Sequence, residues 1–357
     1  MRHGLHLLLA ALAIVLVGAS VLPALELDLW FVRMADFPRL QMLVALAALA
    51  VVLPFFLRQA PRSTLLLLAA VLAAGASHAL TLWPYRPGGA DFVESCPPEQ
   101  RLSVMVANVL LGNREAQPLL ELVRREKPDI LLAMETDAWW HEALAPLEEE
   151  MPFRVQQITG SYYGLELFSR LPLIEPEIRR LADQDTPAVQ SGVRLRSGER
   201  IDFVGLHPHP PRPWQPAIGR DAQLYAAALL VREDERPAVV AGDLNSTPWE
   251  TALERMQRIG ALIDPRQDYG YAATYSAHSW WRSWPLDHVL HEPGFATSSL
   301  HRLGAVGSDH YPYLARLCRM PDAEPETPPP LREDDLRRAR ATIAEAQGRE
   351  PARRAGP

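Results

Sequence analysis

The chain has 357 residues, enough for one sizeable domain with accessories, and carries a formal net charge of −7. No block of Lys and Arg interrupts it, and lysine is nearly absent beside arginine. That argues against tight nonspecific binding to nucleic acid, which comes from releasing counterions from many phosphates; it leaves open a nuclease that works through a metal ion.

The first quarter of the chain is mostly Leu, Ala and Val, whereas the sequence after Pro87 has the mixed charge of a water-soluble domain. Three apolar stretches, 5–25, 40–57 and 64–83, contain no Asp, Glu, Lys or Arg. At about 1.5 Å of rise per residue, each can cross a hydrocarbon core of roughly 30 Å. The bland alternatives are a cleaved signal peptide for the first and buried soluble helices for the others. The first run exceeds the roughly 7 to 15 apolar residues of a signal core, and two further spans come close behind it, so residues 1–87 read as a membrane anchor of three helices. Arg2, Arg58, Arg62 and the amino terminus fall on one side; Arg33, Arg39 and Arg86 fall on the other. Counting basic residues tilts the amino terminus slightly toward the cytoplasm. Three crossings then place the remainder on the periplasmic or extracellular face of a bacterial inner (cell) membrane.

The two cysteines, Cys96 and Cys318, bracket most of the water-soluble region. They are either a disulfide joining the two ends of a domain in an oxidising compartment or two unrelated buried thiols.

From residue 102 a pattern repeats: a short apolar run, a polar residue at its end, then a loop or helix. A strand at 102–107 ends at Asn108. A helix at 115–126 is stopped by Pro128, and a strand at 130–134 ends at Glu135. Residues 165–168 lead into Ser169 and Arg170, and 201–206 into His207. After a helix at 221–232, the strand 238–241 leads into Gly242, Asp243 and Asn245. Val289 and Leu290 come after Asp287, and 311–317 after Asp309 and His310. Any one strand-end carboxylate or imidazole is ordinarily a solvated turn residue. Seven or eight of types suited to Mg²⁺ and phosphate point instead to one rim of a sheet. The residues alone define a mixed α and β domain over 96–320. The Pro-rich tail, 321–357, shows no packing signal; 331–347 has the composition of a charged helix with too few apolar positions for a core-facing stripe, so little order is expected there.

Three strings are specific: Gly242-Asp243-Leu244-Asn245-Ser246-Thr247-Pro248, Pro285-Leu286-Asp287-His288-Val289-Leu290 and Gly307-Ser308-Asp309-His310-Tyr311-Pro312. Alone, G-D-x-N is no more than an Asp-initiated turn. Together with Asn108 and Met134-Glu135-Thr136, in this order, these segments resemble the five signatures of the endonuclease/exonuclease/phosphatase family, over about 102–317. Three amino-terminal spans before such a domain also resemble a bacterial membrane-associated branch of that family. The resemblance implies an α+β, DNase I-like fold: a four-layer α/β/β/α sandwich, with the active site at one end of two face-to-face sheets.

It also implies roles. Phosphate esters resist hydrolysis because an anionic centre repels an anionic nucleophile, so charge must be neutralised and water activated. Mg²⁺, with Mn²⁺ as an alternative, suits the task, since it takes oxygen ligands and needs only one or two carboxylates. Glu135, Asn108 and Asp309 are the expected metal ligands; no Cys/His cluster with zinc spacing competes. His310 would act on the phosphate with its tautomer fixed by Asp287, Asp243 would orient or deprotonate water, and Asn245 would donate to the scissile phosphate. His207, in Gly205-Leu206-His207-Pro208-His209-Pro210-Pro211, matches a phosphate-contacting position; His207 and His209 could alternatively form a metal pair, and His209 could be only a surface residue. Arg170 is a candidate for holding the anionic substrate. The aromatic run Trp280, Trp281 and Trp284, with Arg282 between, could stack on a base or sugar, dip into headgroups or close the core; Trp281 and Arg282 are taken as substrate-contacting candidates.

The expected substrate is a phosphate ester: nucleic acid, a nucleotide or a lipid headgroup. The bilayer is the other partner, and no stable protein partner is expected. A calcineurin-like metallophosphoesterase would add an early D-x-H and a G-N-H, and the sequence has neither. The alternative outside enzymes is a membrane protein that keeps the fold as a binding or scaffolding module; such a module should lose metal and phosphate residues first, yet all are present.

Overall fold

The computed structural model describes residues 2–354 apart from 59, 89–94, 184, 214–215, 235, 268 and 322–325. The amino-terminal quarter forms helices α1 (Arg2–Val21), α2 (Trp30–Met34), α3 (Arg39–Val52) and α4 (Pro61–Leu82). With their flanking 3₁₀ turns, three helices are long and apolar enough to cross a membrane: His3–Leu25, Arg39–Phe56 and Pro61–Tyr85. They pack on one another through Ala13, Leu46, Leu49, Leu53, Val71 and Ala74. Their outer faces leave Leu8, Ile14, Val15, Val51, Leu66 and Leu80 exposed, an arrangement that suits an apolar surrounding and would be costly in water. Two polar pairs lie inside the bundle, His6 with Thr64 at 3.2 Å and His78 with Ser20 at 2.9 Å.

The segment between α1 and α3 does not hang free. Arg33 donates to the Asp221 carboxylate at 3.0 Å with both side chains buried. Trp249 Nε1 donates to the Asp36 carbonyl at 2.8 Å, and Phe37 packs against Trp284 and Leu286.

After these helices come β1 (Arg101–Asn108), α5 (Gln117–Glu126), β2 (Ile130–Met134), α6 (Ala138–Leu144), β3 (Phe153–Gln157), β4 (Leu165–Ser169), β5 (Leu173–Arg179), β6 (Ala188–Arg194), β7 (Arg200–Leu206), α7 (Ile218–Glu233), β8 (Ala238–Asp243), α8 (Thr251–Ile259), β9 (Asp287–His291), β10 (Phe295–Arg302), β11 (Tyr313–Arg319) and α9 (Asp335–Arg354). Strands β10-β11-β1-β2-β4-β3 make one sheet and β5-β6-β7-β8-β9 the other. Alternate residues of both sheets, among them Val104, Leu132, Leu167, Phe203, Val239 and Val289, fill the space between them. The opposite pleat faces of the first sheet, with Met105, Leu131 and Phe168, are covered by α5 and α6 through Leu119, Val123, Trp140 and Leu144. Those of the second, with Val204 and Val240, are covered by α7, α8 and α9 through Leu224, Met256 and Ala339. The result is the four-layer sandwich that the resemblance implies.

Cys96 and Cys318 form a disulfide across 222 residues, beside the β1–β11 pairing that closes the domain. The carboxyl-terminal tail departs from expectation. Helix α9 packs on the second sheet's helices, and its first residue, Asp335, is buried between Arg255 and Arg258 at 3.2 and 2.7 Å. Its apolar face, Leu336, Ala339 and Ile343, is too short to read as a core stripe; a buried ion pair supplements it, and sequence periodicity does not register that.

Candidate active site

Strand direction decides which polar ends meet. β1 and β2 are parallel, so Asn108 and Glu135 leave the first sheet at the same rim. β7 and β8 are parallel, so His207 and Asp243 leave the second at its matching rim. β9 is antiparallel to β8 and begins there at Asp287, and β11 is antiparallel to β1 and begins just after His310. Two glycines permit the close approach. A Cβ on Gly164 would sit 1.6 Å from the Thr136 carbonyl oxygen, and one on Gly242, at φ +145°, would sit 1.9 Å from that of Leu206.

Asn108, Glu135, His207, Asp243, Asn245, Asp309 and His310 line a single cavity of about 230 Å³. Asn108 Nδ2 bridges two carboxylates, donating to Glu135 at 3.0 Å and Asp243 at 3.2 Å. The second Glu135 oxygen accepts from the Leu111 amide at 3.0 Å, and Glu135 itself sits in the left-handed region at φ +65°, a local strain of the kind that gathers at functional sites. Asp243 accepts from the Asn245 amide at 3.0 Å and faces His207 and His310 at 3.7 and 3.5 Å. Asn245 Nδ2 donates to the Pro208 carbonyl at 3.0 Å, tying the β7 and β8 loops together. Behind His310, Asp287 Oδ2 lies 2.8 Å from Nδ1, while Asp287 Oδ1 and His207 Nδ1 are buried with no hydrogen-bond partner among the described residues.

Burial pushes the Glu135 and Asp243 carboxyls upward; hydrogen bonds from Leu111 and Asn108 oppose this at Glu135, and His310 opposes it at Asp243. Burial alone would lower His310, but the Asp287 and Asp243 carboxylates outweigh it and raise the imidazole to about 10. His207 moves the other way, down, because burial dominates. Such opposed shifts in one cleft are characteristic of sites that move protons and hold charge.

The donor set fits a hard divalent cation. Buried Glu135 and Asp243 are drawn to one amide, Asp309 stands half-buried on the same cavity, and all offer oxygen. A second grouping, Asp243, Asp287 and His310, has ligand atoms all within 4.8 Å of one another. Because His310 Nδ1 and Asp287 Oδ2 are already hydrogen-bonded to each other, that cluster serves better to orient the imidazole than to surround an ion.

Arg170, His209, Trp281 and Arg282 do not join the cavity. Arg170 lies at the far end of the sheet, because β4 runs antiparallel to β2 and pairs Leu165, not Ser169, with Met134; its guanidinium is held by the Pro128 and Glu150 carbonyls and the Glu150 carboxylate. Trp281 and Arg282 pack on each other, the guanidinium 5.5 Å from the indole centre, and Trp284 takes the position on the cavity wall. His209, whose Nδ1 meets the Tyr163 hydroxyl, is not on the cavity wall that carries His207. Residues without a sequence signature also line the cavity: Tyr163, Arg212 and Tyr275, with Met34 and Phe37 from the segment between α1 and α3.

Two sheets packed face to face, with carboxylates, amides and imidazoles gathered where parallel strands end, define a phosphoesterase-type sandwich with a possible divalent-metal site. The Endonuclease/Exonuclease/phosphatase family model matches residues 105–310, and the chain belongs to that family. No curated protein matches the chain by sequence. Solved structures share the fold at low identity. D. rerio TDP2 complexed with single strand DNA product is 15% identical, covering 61% of this chain and 98% of its own, with TM-score 0.52. The human Nocturnin catalytic domain with bound sulfate anion is 18% identical over 64% of this chain and 96% of its own, TM-score 0.50. A functionally unknown conserved protein from Enterococcus faecalis V583 is 14% identical over 61% and 100%, TM-score 0.51.

Proposed function

We propose that the protein is a membrane-tethered, Mg²⁺-dependent phosphoesterase of a bacterial inner (cell) membrane, with its catalytic domain on the periplasmic or extracellular side. The observation that carries this reading is the single cavity shared by Asn108, Glu135, Asp243, Asn245, Asp309 and His310, which come from both sheets. Glu135, Asn108 and Asp309 would hold the ion, Mg²⁺ or Mn²⁺, and when bound it supplies positive charge against the phosphate and acidifies water. Asp243 holds the attacking water and accepts its proton. His310, kept cationic by Asp287 and Asp243, faces the phosphoryl oxygens. His207 and Asn245 complete the cradle with ring nitrogen and amide donors. Cys96–Cys318 supports placement in an oxidising compartment.

The full-length protein is expected to hydrolyse bis-p-nitrophenyl phosphate with Mg²⁺ or Mn²⁺, and Glu135→Ala or His310→Ala to abolish most of that activity. Unchanged rates in both variants, or no turnover with any divalent ion across DNA, RNA, nucleotides and phospholipids, would overturn the enzymatic reading. Protection of the domain from protease in intact spheroplasts would overturn the orientation.

A further inference from the structure

The catalytic cavity is not built by the catalytic domain alone. Met34 and Phe37, from the segment joining the first two apolar helices, stand on its wall. They are fixed there. Phe37 is buried in a T-shaped contact with Trp284, ring centres 5.3 Å apart. The buried Arg33–Asp221 pair and the Trp249 bond to the Asp36 carbonyl hold the backbone on either side.

The same segment is apolar on its other face. Leu27, Leu29 and Phe31 are each 45% exposed, beside the carboxyl end of α1. Next to it, Gln41 in the first turn of α3 donates to the Trp281 carbonyl at 2.6 Å. That bond sets the tip carrying Trp280, 94% exposed, at the level where an apolar helix begins. Trp83, 63% exposed, marks the corresponding end of α4. Exposed indoles and phenyl rings at the ends of membrane-crossing helices settle at the headgroup level.

We propose that the α1–α3 segment is a wall of the active site and turns its mouth to the bilayer, so that the site takes phosphate esters carried on an alkyl chain resident in that leaflet. This rests on the phosphoesterase reading. The phosphate meets the charged end of the cavity, and the first methylenes of the chain lie against Met34, Phe37 and Trp284 before the chain passes back into lipid. A nucleic acid, charged along its whole length, gains nothing from that wall.

Two measurements on the full chain in phosphatidylcholine vesicles test the proposal. First, methyl, butyl, hexyl and octyl phosphate are compared as inhibitors of bis-p-nitrophenyl phosphate hydrolysis. Inhibition should strengthen at least tenfold from methyl to hexyl, since one buried methylene is worth up to about fourfold. Phe37→Ala, or the milder Met34→Ala, should flatten the series, the ratio of hexyl to methyl inhibition within each variant falling several-fold below that of the unaltered protein. A flat series in the unaltered protein, or a slope that survives both substitutions, overturns the wall. Should bis-p-nitrophenyl phosphate not be turned over at all, the phosphoesterase reading fails, and the wall is judged by the rise in unfolding temperature that the same alkyl phosphates produce. Second, since neither natural cysteine is free, Trp280→Cys carries a single spin label. Its relaxation should respond to oxygen dissolved in the lipid rather than to an aqueous nickel chelate, and the reverse result overturns the orientation of the mouth.

Discussion

The Asp287 carboxylate lies 2.8 Å from Nδ1 of His310, both side chains are buried, and the other ring nitrogen faces Asp243 at 3.5 Å. The carboxylate therefore fixes which nitrogen is presented to the cavity and compensates the charge of the imidazolium. Asp287→Asn should keep the volume but lose both effects. Turnover is expected to fall by about 10- to 100-fold, the usual cost of removing such an orienting partner, with KM little changed. Steady-state kinetics on a soluble phosphodiester would show it; a loss confined to KM would mean that Asp287 serves binding instead.

Glu135 and Asp243 converge on one amide, Asn108, at 3.0 and 3.2 Å. If their purpose is to hold a cation, Glu135→Gln should weaken Mn²⁺ binding by about 10-fold or more, because a neutral amide replaces an anionic ligand at nearly the same shape. Calorimetric titration of the protein with Mn²⁺ measures this without any assay of turnover. Equal affinity in the variant would move the ion elsewhere, with the Asp243, Asp287 and His310 cluster as the next place to look.

Most of this site was legible in the sequence, because its residues come directly after apolar runs whose lengths are fixed by sheet width. The strand expected at 130–134 is β2 as observed, and β8 runs only two residues past its expected end. Arg170 shows the limit of that logic. Being at a strand end locates a residue on a rim but not on which rim; antiparallel pairing of β4 with β2 sent it to the far one. The edge strands β3 and β5 were not legible either. Their burial is partial, so neither a continuous apolar run nor a clean alternation marks them. The contribution of Met34 and Phe37 depends on docking between segments far apart in the chain, 188 residues for Arg33–Asp221 and 213 for Trp249–Asp36, for which no local pattern exists.

The Cys96–Cys318 bond ties the residues before β1 to β11, closing a loop of 222 residues. Loop-closure reasoning puts such cross-links at roughly 2 to 5 kcal/mol, or about 5 to 15 °C in melting temperature for a domain of this size. Cys96→Ala with Cys318→Ala should lower the melting temperature by that amount in oxidising buffer. Adding a reductant should bring the unaltered protein to the same value and leave the double variant unmoved. If reduction does not move the native protein, the link adds nothing to the β1–β11 pairing that surrounds it.

Helix α9 offers a stability test with a defined pH window. Asp335 is fully buried and receives Arg258 at 2.7 Å, Arg255 at 3.2 Å and the Arg332 amide at 3.0 Å. Burial by itself would raise this carboxyl, but hydrogen bonds from Arg258 and Arg332 and the charge of Arg258 outweigh it and lower the group from 3.8 to about 2. A carboxyl depressed by folding contributes stability that is complete above its unfolded value and disappears as pH falls through its folded value. The contribution is therefore present at pH 5 and above, and is lost between about pH 4 and pH 2. Its size is on the order of 2 to 3 kcal/mol at most. Asp335→Asn should reduce stability by an amount of that order at pH 6, with hydrogen exchange accelerated first in α9. The gap between the variant and the native protein should shrink as pH approaches 2.5, since protonation then does to Asp335 what the substitution did. A gap that stays constant across that range would mean α9 is held by Leu336, Ala339 and Ile343, with the ion pair contributing nothing.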